Sequence, residues 1–267
     1  MRVCEVHPGR GHLDEELVRS RDRWVELGRD EDLGTAELGD LDRAHGGVCP
    51  FCRANYRCRM SFTGFPAAAL DFYDDLEMDN TKSFWTAHKQ VYEESVRAPM
   101  TALLAELEEE FGTAKLFRPY RDVRFAKDKT PYKTHQGAFI DLAPATGWYV
   151  QVSAPGVRVA AGFYDATSER LARVRTAIDD DRRGKQLEKL LAKLTRAGWT
   201  VGGDKLKTSP RGYDADHPRI DLLRHKSLTV SKSYGFEPII HTPDLATQIR
   251  TDWQSTKPLL TWLTDNS

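Results

Sequence analysis

Beyond Cys58 the chain has no cysteine, and its first 59 residues have no lysine. The first absence excludes disulfides within residues 60–267. All four cysteines, Cys4, Cys49, Cys52 and Cys58, fall in the lysine-free part. No apolar run reaches the roughly 20 residues needed to span a bilayer. No apolar segment follows Arg2 as it would in a secretory leader. A cytoplasmic protein without a membrane partner is the expectation. There is no P-loop, no G-x-G-x-x-G after a strand, no G-x-S-x-G elbow and no H-E-x-x-H pair. Charge of one sign is also lacking, since 39 Lys+Arg stand against 40 Asp+Glu. That balance excludes a general basic coat for nucleic acid and leaves room for a local basic site.

The lysine-free part, residues 1–59, is rich in Arg, Gly, Asp and Glu and reads as a polar extension; residues 60–267 read as a single domain. Within the extension, residues 13–27 have the apolar spacing of an amphipathic helix. Cys4-x-x-His7 and Cys49-x-x-Cys52 are two short pairs, each fit to form one knuckle of a tetrahedral structural zinc site. The other reading is incidental cysteines in a loosely folded segment. Cys49-Pro50-Phe51-Cys52 resembles a glutaredoxin redox motif, but the preceding Ala-His-Gly-Gly makes a poor strand.

From Phe62 the pattern turns globular. Leu70, Phe72, Tyr73 and Leu76 predict a first helix entered at Pro66, and Asp79-Asn80 is placed to cap the next. Pro99 is expected to restart that helix, and Gly112 to stop it. Strands are expected over 121–125, 136–142, 148–153 and 157–163, with a turn at Pro155-Gly156. Two helices follow, marked by Leu171, Val174 and Ile178, then by Leu187, Leu190, Leu191 and Leu194. A short strand at 199–201, a short helix at 221–225, an edge strand at 228–234 and a final helix capped by Thr242-Pro243 complete the chain. The predicted class is α+β: an antiparallel meander packed with helices from both ends of the chain.

Two stretches carry the candidate chemistry. Residues 118–137, RPYRDVRFAKDKTPYKTHQG, crowd Arg118, Arg121, Arg124, Lys127, Lys129, Lys133 and His135 against only Asp122 and Asp128. Such cations repel one another unless an anion answers them. Arginine offers a planar fork for phosphate or carboxylate, and lysine a point charge. Residues 205–226 interleave acids with bases, and here Asp214 and His217 are the candidate acid/base pair, with His135 a third proton carrier. Arg121, Arg124, Lys127, Lys133, Arg211, Arg224 and Lys226 are the candidate ligand-binding residues. The structural alternative makes Asp216 a helix cap and the basic stretch a solvated edge. His88 reads as a core or groove histidine. The functional expectation is a small phosphorylated or carboxylated ligand held in one hollow between the two stretches, with an enzyme using the acid/base residues in view. The alternative is nucleic-acid binding or a protein-interaction surface on the same cations, with Tyr120, Phe125 and Tyr132 as stacking rings.

Long motifs in this chain also resemble a known family. F-T-G-F-P at 62–66, V-R-A-P-M at 96–100, the run 115–135, P-R-G-Y-D-A-D-H-P-R at 210–219 and L-L-R-H-K-S at 222–227 resemble the bacterial and fungal proteins grouped as domain of unknown function 2461. The resemblance implies a single α+β domain and carries no reaction with it. Phe84-Trp85 departs from the Trp-Phe order of that family, and His88 stands where Asn is usual.

Overall fold

The structure is a computed structural model and describes residues 61–124 and 127–267. Helix α1 (Ala67–Met78) buries Ala69, Phe72, Tyr73 and Leu76, the spacing of one helical face. Helix α2 (Lys82–Val91) is capped by Thr81, whose hydroxyl accepts from the Phe84 N–H at 3.3 Å. The cap thus lies one residue beyond the expected Asp79-Asn80. A wide turn, Tyr92–Arg97, carries α2 into α3 (Ala98–Phe111). In it the Ala98 N–H reaches back five residues to the Glu93 carbonyl. Pro99 accounts for the widening: it lacks an N–H, and in a regular helix its ring presses on the carbonyl four residues earlier. The restart expected at Pro99 is therefore a change of pitch within one continuous helical run, which stops at Gly112.

Strands β1 (Ala114–Leu116), β2 (His135–Ala143), β3 (Thr146–Ser153), β4 (Gly156–Phe163), β5 (Thr200–Gly202) and β6 (Leu228–Gly235) form an antiparallel sheet in the order β1-β2-β3-β4-β6-β5. β2, β3 and β4 are the expected meander. The β3–β4 loop is Ala154-Pro155, one residue earlier than expected, because Ser153 pairs with Gly156. Gly156 has φ +106°, and a Cβ there would lie 1.8 Å from the Gly235 carbonyl oxygen, so only glycine fits. The strand expected from Arg121 does not form: Arg121–Val123 are irregular, and only Tyr120 makes a bridge, to Tyr132. The strand at 228–234 is not an edge. It pairs with β4 on one side and β5 on the other, and its alternation reflects burial of Leu228 and Val230 on one face.

That face carries Ile140, Trp148, Ala161 and Val230 in cross-strand register. It is covered by α1 and by the last helix, α7 (Asp244–Asp265). The Trp148 indole N–H donates to Thr256 Oγ1 at 3.1 Å, and Phe111 packs edge-on against both Trp148 and Trp253. Arg250 of α7 donates to the Glu106 carbonyl of α3 at 3.0 Å. Helices from both ends of the chain therefore meet on the sheet, as predicted. α7 starts without a side-chain cap; the Thr242 hydroxyl instead donates to Ile239 O and closes the preceding turn. Helices α4 (Ser168–Asp179), α5 (Asp181–Arg196) and α6 (Ile220–Leu223) lie between β4 and β6 in the chain. α5 is followed by Gly198 at φ +87°, as expected.

Candidate functional site

The connection from β1 to β2 continues beyond the sheet as a narrow two-stranded ribbon. Phe117 N donates to Gly137 O at 3.0 Å, Lys133 N to Pro119 O at 2.8 Å and Arg121 N to Pro131 O at 2.9 Å. The base of this finger is clamped by Asn80. Its amide donates to Tyr132 O at 3.0 Å and accepts from Tyr132 N at 3.1 Å, so the side chain pairs with the backbone as a neighbouring strand would. The Tyr132 ring stacks flat on Trp85, with centroids 4.3 Å apart and planes 6° apart. Both rings are buried. Tyr120 packs beside this pair, tilted to both rings, 5.5 Å from Tyr132 and 6.0 Å from Trp85, and remains 49% exposed. From the sequence Asn80 reads as a helix cap and Trp85 only as part of a departure from the family's order; with Thr81 supplying the cap, Asn80 is free to clamp the finger. Asn80→Ala removes both clamping bonds and is expected to cost about 1–3 kcal/mol. Amide exchange at Tyr132 and Arg121 reads this out, and unchanged protection there would show that the ring stack alone holds the ribbon.

The finger's two carboxylates are both engaged. Asp122 accepts the Arg124 guanidinium through Nε at 2.8 Å and Nη2 at 2.5 Å. These bonds, the Arg124 backbone N–H and the more distant pull of Arg118 drive its carboxyl far below the usual range. Asp128 accepts the Thr130 N–H at 2.9 Å and Arg121 Nη1 at 2.5 Å, which hold its carboxyl down at about 2. Thr130 Oγ1 also accepts from Arg121. Lys129 donates to Val123 O at 2.9 Å, and Lys133 stands over the Phe117 ring at 5.4 Å. Arg118 and Lys127 are exposed, and no carboxylate among the described residues forms an ion pair with either. His135 opens β2, half-buried and opposite Ser153.

The second stretch is a brace. Arg224 donates to Leu206 O at 2.8 Å and Lys207 O at 2.7 Å. Lys226 lies 3.8 Å from Asp204. Arg219 is buried and donates to Ile178 O at 2.7 Å and Asp179 O at 3.0 Å, tying down the C-terminal carbonyls of α4. His217 Nδ1 accepts the Arg219 backbone N–H at 3.0 Å, so its proton lies on Nε2, which donates to Asp179 at 3.0 Å. Both ring nitrogens are thus engaged with the surrounding scaffold. The expected pairing with Asp214 is replaced by Asp179. Asp214 is exposed and only its carbonyl meets His217, through the backbone N–H at 3.3 Å. Asp216 is no cap, since α6 starts without a side-chain bond to its first turn. Arg211 is exposed, and His88 is half-buried on α2, its Nδ1 2.9 Å from Phe84 O and its ring stacked on Phe84 at 4.1 Å.

The sheet separates the two stretches. The finger leaves beside the N-terminal end of β2, where His135 pairs with Ser153. The second stretch enters β6 at Leu228, which pairs with Phe163, itself paired with Thr146. These are opposite ends of the strands, with β3 and β4 lying between β2 and β6. At about 3.3 Å per residue and 4.8 Å per strand the two corners are roughly 25 Å apart. The common hollow expected from the sequence therefore does not exist, and Arg224 and Lys226 cannot share a small ligand with Arg121, Arg124, Lys127 and Lys133.

A family model described as Conserved hypothetical protein (DUF2461) matches residues 68–262. The chain belongs to this family. The match runs from α1 into the last turns of α7, so the finger and the brace are both parts of the DUF2461 domain. No curated protein matches the chain. Within the described residues of this DUF2461 protein, no helix is long and apolar enough to cross a membrane, and no group of three or more His, Cys, Asp or Glu is placed to hold a metal. The zinc candidates Cys4, His7, Cys49 and Cys52, the helix expected over 13–27, and Phe125 lie outside the described residues.

Proposed function

We propose that the basic finger between β1 and β2 binds an anionic ligand bearing phosphate or carboxylate groups. The observation that supports this most is the charge left over on a held scaffold. Residues 118–133 carry six cations and two carboxylates, and both carboxylates are taken up by Arg121 and Arg124. Those two pairs stiffen the tip, while Lys127 on the tip and Arg118 nearer the root keep their charge exposed. A rigid donor array loses little conformational entropy when an anion arrives. Because the brace faces another corner, the site is confined to the finger, with Lys133 and His135 at its root. Arg118→Ala/Lys127→Ala tests the reading without touching the pairs that hold the tip. Calorimetric titration with tripolyphosphate and with citrate should show binding by the wild type at low salt, weakened at least about tenfold in the double variant. Equal binding by both proteins, or none by the wild type, refutes the assignment.

A further inference from the structure

Resting on that anion-binding reading, we infer that the finger's ligand is a nucleotide, either free or as a unit of single-stranded nucleic acid. The cations alone specify only negative charge; the rings beside them specify more. Tyr120 packs at a tilt beside the stacked pair, with the buried Tyr132 and Trp85 rings 5.5 Å and 6.0 Å away. An exposed aromatic usually loses side-chain freedom when something stacks on it, but this one is already backed by two fixed rings. The residue is 49% exposed, two positions from the exposed Arg118. The backbone beneath it is pinned, since the Tyr120–Tyr132 bridge is flanked by the Arg121–Pro131 and Lys133–Pro119 hydrogen bonds and clamped by Asn80. A held ring two residues from an exposed guanidinium, on a finger that also exposes the Lys127 ammonium, fits a ligand that joins a planar base to a phosphate. Sugar phosphates and organic acids leave the ring unused.

The full chain can be tested by fluorescence polarisation with labelled dodecathymidylate at low salt. The wild type should prefer it at least about tenfold over an abasic strand of the same length and charge, a comparison that needs no variant. Tyr120→Ala should remove about tenfold or more of the dodecathymidylate affinity, and Tyr120→Phe should keep it within about twofold, since only the ring face is used. Tripolyphosphate should bind wild type and Tyr120→Ala alike. Competition by ATP at concentrations comparable to the strand assigns the free nucleotide; competition by the strand alone assigns nucleic acid. Both outcomes support the inference. Binding of tripolyphosphate with no preference for bases overturns it and leaves the anion site standing. Binding only to anionic lipid vesicles overturns it in favour of a membrane surface. Absence of any anion binding removes both readings.

Discussion

Asp252→Ala should destabilise the domain by about 3 kcal/mol, near the lower end of what breaking a buried ion pair costs. Asp252 is on the sheet-facing side of α7 and is 6% exposed. Its carboxylate accepts Lys232 Nζ at 2.9 Å, Tyr234 OH at 2.7 Å and Gln248 Nε2 at 3.0 Å. Lys232 and Tyr234 come from β6, on the same face as the apolar Val230, so the carboxylate is what holds a charged residue against the helix layer. Removing it strands an ammonium group that is three-quarters buried, together with a buried hydroxyl. Gln248 can turn to water, which is why the estimate stays at the lower end. Burial first and the Asp252 carboxylate second keep the Tyr234 hydroxyl protonated far above its usual range. Its folded value is raised, so it stabilises the fold below about pH 10 and that support is lost progressively at higher pH. Urea unfolding at pH 7 measures the main effect. The triple variant Lys232→Met/Asp252→Leu/Tyr234→Phe, which removes the carboxylate together with the ammonium and hydroxyl it holds, should recover most of the loss. If the triple variant is as unstable as Asp252→Ala, lost packing rather than a stranded charge is the cause.

The same network shows what a reader of the sequence can and cannot extract. Helix and strand periods are local, so Leu187, Leu191 and Leu194, or the buried alternation of β6, announce their elements directly. Lys232 reads as a polar residue of an edge strand, because nothing nearby in sequence mentions Asp252. The finger was visible as an excess of cations, but its anchor was not, since Asn80 and Tyr132 are 52 residues apart. The brace misled for a different reason. An arginine that caps carbonyls, as Arg219 and Arg224 do, has the same sequence signature as one that awaits a phosphate. Acids and bases interleaved over 205–226 resemble a catalytic constellation, yet they are used to end α4 and to hold the way into β6. The topology decides the matter: in a sheet ordered β1-β2-β3-β4-β6-β5, connections β1–β2 and β5–β6 necessarily lie toward different edges.

Acid should unfold the domain early, through His225. This residue is 3% exposed, at the point where the brace joins β6. Its Nδ1 lies 2.8 Å from Ser227 O, an acceptor, so the proton is on Nδ1. Nε2 is buried with an open lone pair and no partner among the described residues. Protonating it places a charge in the interior; burial first and the nearby Lys205 lower the imidazole, against the opposite pull of the Ser227 carbonyl and Asp221, to about 4. The unfolded chain takes up that proton near pH 6.5. The folded value is the lower one, so the stabilisation is complete above pH 6.5 and fades as pH falls to about 4. Over that window it amounts to about 3 kcal/mol. His225→Asn keeps a donor for the Ser227 carbonyl but cannot be protonated there. Its urea midpoint at pH 7 should be lower than wild type by the lost packing, and the difference should close as the two are compared at pH 6, 5 and 4. Curves that stay parallel across those pH values would mean that the folded and unfolded chains take up this proton alike, and that burial does not hold the ring neutral.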